Sequence, residues 1–91
     1  MITEKEALRI LKDNLEDNYT ITELTFDLPN MYVFSYTDSK KAHGEAFDEY
    51  AVMKDTGKII RDGRIISDEM DKLSDEEFDK CKKKISIAQI S

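Results

Sequence analysis

Residues 31–60 read MYVFSYTDSKKAHGEAFDEYAVMKDTGKII, and the punctuation of this stretch decides the fold. Three runs rich in apolar, aromatic and β-branched residues, 31–36, 46–53 and 58–60, are separated by polar breaks. That is the pattern of consecutive antiparallel strands. The second break, Lys54-Asp55-Thr56-Gly57-Lys58, places a small acidic residue and then a glycine where a short hairpin loop needs positive φ. A β-meander is expected.

Upstream, residues 19–28 alternate, with Leu24, Phe26 and Leu28 on one face and Glu23, Thr25 and Asp27 on the other, as in a half-buried strand. Ile21 is out of phase with Leu24, which requires either a later start or a bulge. Pro29-Asn30 turns the chain, Leu28 being held extended by the proline. In the run 31–36 both alternating sets, Met31 and Val33 against Tyr32, Phe34 and Tyr36, are apolar or aromatic. A strand with partners on both sides, in the middle of the sheet, accounts for that. In the third strand Phe47, Ala51 and Met53 share one face and Ala46, Asp48, Tyr50 and Val52 the other. One sheet face is expected to support a helix and the other to present tyrosines and carboxylates.

Helices flank this sheet. Thr3-Glu4-Lys5-Glu6 matches a capping box, with Ile2 and Ala7 placed as a hydrophobic staple. Ala7, Leu8, Leu11 and Leu15, widened by Ile10, make an amphipathic stripe over residues 4–16, which Asp17-Asn18 is suited to stop. Downstream, residues 61–64 read as a turn or loop, and Ser67 as the N-cap of a short helix over 68–73. Ser74-Asp75-Glu76-Glu77 is a second capping box, opening a helix over 75–84 with Phe78, Cys81 and Ile85 as its stripe. Residues 85–91 fit either a longer helix or a short strand. The expected architecture is a single α+β domain, residues 1–91. Its N-terminal helix packs on a three- to four-stranded antiparallel sheet, and short C-terminal helices close an edge.

Composition narrows the function. The chain is 40% hydrophobic and 37% charged, with the apolar residues grouped at structural periods, which excludes a disordered chain. A net charge of −6 argues against direct nucleic-acid binding, which needs clustered Lys and Arg, and favours a cationic partner. One cysteine excludes an intrachain disulfide and suits a reducing compartment. Residues 1–6 contain no apolar signal-peptide core, and no run approaches the roughly 18 apolar residues of a membrane span, so cytoplasmic residence is expected.

Reactive groups are sparse. His43, beside Gly44 in a polar loop, has no Cys or second His at ligand spacing, so a solvated loop histidine is preferred to a catalytic one. Cys81 shares a stripe with Phe78 and is read as a packed thiol. Asp55-Thr56-Gly57-Lys58 lacks the first glycine of a phosphate loop, and Asp62-Gly63 lacks the repeated carboxylates of a calcium loop. No catalytic residue, metal or cofactor is expected. Two acidic clusters remain. One comprises Glu45, Asp48, Glu49 and Tyr50 with Tyr32 and Tyr36 on the neighbouring strand and Asp38 alongside, where aromatics would anchor a basic partner and carboxylates steer it; simple cross-strand packing explains it equally well. The other is the run from Asp68 to Asp79, including Asp71, Asp75 and Glu76, which capping and the helix dipole explain in large part.

The helix–strand–strand–strand–turn–strand–helix order has a likeness in a known family. With Met1-Ile2-Thr3 leading into a helix, the Tyr32-Val33-Phe34 strand, and Asp55-Thr56-Gly57-Lys58-Ile59 before an acidic C-terminal helix, the chain resembles the bacterial YrhB or immunity protein 35 family. The Gly-Asn-x-Pro segment usual there before the late strand is absent, and the inter-strand loop is shorter. The Tyr-x-Val and Asp-Thr-Gly-Lys pieces are also similar to PepSY-type or cystatin-like domains. The first resemblance implies an immunity protein that binds and blocks a toxin, the second an inhibitory or sensory domain; neither implies an enzyme. A phage-type inhibitor mimicking nucleic acid through residues 68–79 is the further alternative. The expected partner is a basic protein, and the expected state a monomer or weak dimer.

Overall fold

The computed structural model describes residues 1–40 and 48–90, and at Asp48 the backbone alone. Helix α1 (Glu4–Asn14) opens the chain, followed by strands β1 (Tyr19–Asp27), β2 (Met31–Asp38), β3 (Asp48–Met53) and β4 (Ile59–Ile60). Helices α2 (Gly63–Asp71) and α3 (Asp75–Cys81), strand β5 (Lys82–Ser86) and the one-turn helix α4 (Ile87–Ile90) complete it. The sheet is antiparallel, in the order β4-β3-β2-β1-β5. This is the α+β fold expected, with one strand more than the three or four anticipated.

The local signals act as their chemistry dictates. Thr3 caps α1 by accepting from the Glu6 N–H at 3.2 Å, while the Glu6 carboxylate accepts from the Thr3 N–H at 3.2 Å. Ser74 and Glu77 repeat the device at α3; such a cap contributes about 1 kcal/mol. Gly57 takes a φ of 75° in the loop between β3 and β4. That backbone calls for glycine, and a Cβ there would stand 3.1 Å from Ile10 Cδ1, so the tip of the Ile10 side chain would have to give by a few tenths of an ångström. In β2 the six residues from Met31 to Tyr36 are all buried, as its central place demands.

Two apolar clusters result, one on each face. Ala7, Leu8 and Leu11 of α1 meet Leu24, Tyr32, Phe34, Tyr36, Tyr50 and Val52, with Ile87 and Ile90 of α4 packed alongside. On the other face Leu28, Met31, Val33 and Ala51 meet Ile66 of α2, with Phe26, Met70, Leu73 and Cys81 alongside. Helices α2 and α3 therefore cover the second face instead of closing an edge, while α4 packs on the first.

Four expectations are corrected. The sheet face bearing the tyrosines is the one under α1: Tyr32, Tyr36 and Tyr50 are at most 8% exposed, because they alternate in phase with Phe34 and Val52. β1 begins at Tyr19 and carries two bulges, between Ile21 and Glu23 and between Leu24 and Phe26. The second bulge sends Leu24 to one face and Phe26 and Leu28 to the other, so these three do not share a side. Finally, α2 starts at Gly63, capped by Asp62, whose carboxylate accepts from the Arg64 N–H at 2.9 Å. Aspartate caps as well as serine, and the earlier start puts Ile66 and Met70 on one buried side. The helix expected over 75–84 likewise ends at Cys81, after which β5 pairs with β1 and places Ile85 opposite Leu24.

Candidate protein-binding face

Residues on adjacent strands in register share a face. Ser35 alternates with Phe34 and Tyr36, which point toward α1, so Ser35 points to the α2 and α3 side. Its register partners are Glu23 on β1 and Glu49 on β3, which puts two carboxylates on the same side of the sheet, flanking one serine. The bulged residues of β1 fasten this row. Thr22 Oγ1 donates to the Ser35 carbonyl at 3.2 Å, and the Thr25 and Ser35 hydroxyls are 2.5 Å apart. Thr25 and Ser35 are buried, whereas Glu23 and Glu49 are half-buried.

Two carboxylates so placed repel each other. The Glu49 carboxyl is raised above its ordinary value of 4.5, first by burial and then by the negative charge of Glu23. The folded chain therefore holds this proton more tightly than the unfolded chain. The resulting stabilisation is fully present below the ordinary glutamate value and is lost as pH rises through the higher folded value. Glu49→Gln is expected to melt at a higher temperature than the native chain at pH 7, with the difference closing below about pH 4. Thermal denaturation across pH checks this; equal melting temperatures at pH 7 would sink it.

Of the residues expected to meet a partner, the structure brings Tyr36, Glu49 and Tyr50 to one depression. Tyr36 and Tyr50 are packed in an aromatic cluster with Tyr19, the Tyr36 and Tyr50 ring centroids 4.3 Å apart and those of Tyr19 and Tyr36 5.2 Å apart. Arg61 lies over Tyr50 at 5.4 Å from its centroid. Asp38 accepts from Asn18 Nδ2 at 2.7 Å and from the Lys40 N–H at 2.9 Å, so it organises the turn beyond β2. Glu49 projects from the opposite face of the sheet to both tyrosines, yet all three border the same open depression. Glu45 and His43 lie outside the described residues, as does the side chain of Asp48, whose backbone pairs with Tyr36. Asp71, Asp75 and Glu76 are exposed on α2 and α3.

Glu23 was not singled out from the sequence. Its partnership with Glu49 depends on the register across the bulge between Ile21 and Glu23, for which only the phase error of Ile21 gave a sign. That open depression, of about 610 Å³, is bordered by Tyr36, Glu49, Tyr50, Arg61, Arg64 and Ser67. Among the described residues no three His, Cys, Asp or Glu side chains are grouped to hold a metal ion, and no helix is long and apolar enough to cross a membrane. Comparison with protein-family models, with curated proteins and with solved structures gave no match.

Proposed function

We propose that this chain is a stoichiometric protein-binding module of the immunity type, which neutralises a basic protein by covering part of its surface. The observation that carries this reading is the pair Glu23 and Glu49 across Ser35. The pair is electrostatically unfavourable in the free chain, and a partner's Lys or Arg placed between the two carboxylates removes that repulsion. The net charge of −6 adds long-range attraction for the same class of partner. The resemblance to the YrhB or immunity protein 35 family points the same way, and cytoplasmic residence fits such a role.

The test is co-expression of the tagged chain with the products of the genes on either side of its own. A 1:1 complex with a basic neighbour, weakening as salt is raised, is the expected result. Reversing both charges, Glu23→Lys with Glu49→Lys, should weaken that complex by about a hundredfold. Failure of every neighbour to bind, or a complex indifferent to the double reversal, would overturn the reading.

A further inference from the structure

A second surface, on the helices themselves, has a different composition from the Glu23–Glu49 row. Between α2 and α3 lies a hollow of about 360 Å³ lined by Ser67, Met70, Asp71, Leu73, Asp75 and Phe78. Its apolar members, Met70, Leu73 and Phe78, are all half-buried, because each packs inward with one side and leaves the other to the hollow. Phe78 is held from beneath by Phe26, with ring centroids 5.3 Å apart. The ring already carries a cation, Lys82 Nζ at 5.1 Å from its centroid. On the rim Asp71 and Asp75 are exposed, and among the described residues neither has an ion pair or a side-chain hydrogen bond.

We infer that this hollow docks a basic amphipathic segment of the partner protein, one apolar side chain seated on Met70, Leu73 and Phe78 and flanking Lys or Arg on Asp71 and Asp75. The occupant follows from charge complementarity. An anionic lipid surface or a nucleic acid would meet two uncompensated carboxylates, and a neutral apolar ligand would leave them unused. Lysine and arginine suit the site on both counts, since their methylene stems lie on apolar surface while their charged ends stay in water. The segment would be read as spaced apolar anchors, in the manner of a helix laid in a groove. The inference rests on the protein-binding reading but concerns a different surface, so the two are separable.

The probe is a fluorescent peptide of about 14 residues with leucines at helical spacing and lysines elsewhere, beside a second peptide of identical composition in permuted order. Fluorescence anisotropy should show the amphipathic peptide binding the full chain, and both the permuted peptide and the double variant Asp71→Asn with Asp75→Asn should bind about tenfold more weakly. Glu23→Gln with Glu49→Gln should leave peptide binding unchanged. Both double variants alter exposed or half-buried carboxylates, and circular dichroism establishes that they are folded. Equal binding of the two peptides, indifference to the Asp71 and Asp75 changes, or self-association of the chain blocked by those same changes would overturn the inference. So would capture of the partner that survives Asp71→Asn with Asp75→Asn, which leaves the function proposed above intact.

Discussion

Phe34→Ala should lower the melting temperature by about 15–30 °C, the largest effect of any single change here. Phe34 is fully buried at the middle of the central strand, between Leu24 on β1 and Tyr50 on β3, and it faces the Ala7, Leu8 and Leu11 stripe of α1. Removing the ring forfeits its transfer free energy and leaves a cavity that strands paired on both sides cannot collapse to fill. The cost is about 3–5 kcal/mol, out of a total stability of about 5–15 kcal/mol for a domain of this kind. Phe34→Leu, which keeps most of the volume, should cost about 1–1.5 kcal/mol. Thermal and urea denaturation followed by circular dichroism decides the matter. A shift of only a few degrees for Phe34→Ala would mean that α1 and the sheet do not share the core described.

The second large effect is expected at Lys54. Its ammonium donates to Asp27 Oδ1, and both side chains are mostly buried, at 14% and 24% exposure. The same ammonium lies 4.7 Å from the centroid of the Tyr32 ring, and the Tyr32 hydroxyl donates to the Ile2 carbonyl at 3.1 Å. The Lys54 backbone donates to Asn30 and accepts from Ile2, both at 2.9 Å. One residue thus ties the N-terminal segment, the β1–β2 turn and the end of β3. Asp27→Leu strands a half-buried cation and should cost about 2–3 kcal/mol, with a fall of about 10–20 °C in melting temperature. Adding Lys54→Met should recover part of that loss, because the penalty lies chiefly in the orphaned charge. Strictly additive single and double variants would show that the pair is not coupled.

How much of this was legible from the sequence depended on whether the deciding interaction was local. Both capping boxes lie within four consecutive residues, and Gly57 announces its own backbone requirement, so Thr3, Ser74 and the β3–β4 hairpin were read correctly. The central place of β2 was legible because apolar residues on both of its faces left no solvent side. The faces of β1 were not, since a bulge between Leu24 and Phe26 reverses every later side chain and leaves no mark in composition. Tyr36 and Tyr50 were expected on an open face because tyrosine is at home on either kind; their phase with Phe34 and Val52 puts them under α1, where Tyr19 packs on both rings. Lys82–Lys84 reads as the polar end of a helix and residues 85–91 fit either helix or strand; pairing with the vacant edge of β1 makes Lys82–Ser86 a strand. The Glu23–Glu49 pair depends on register across three strands and was not visible in any window of sequence.

The late position of β5 has a consequence during synthesis. β1 ends at Asp27 and finds β2 at once across a short turn, but the strand that seals its other side begins only at Lys82. Chains emerge from the ribosome N-terminus first, so each nascent copy displays a bare nine-residue ribbon, Tyr19–Asp27, until residues 82–86 are outside. Neighbouring nascent chains on one message are thereby offered a template for mispairing, which Lys82, Lys83 and Lys84 suppress only after they arrive. Chains that stall before residue 82 should therefore depend on chaperones in a way that chains carrying β5 do not.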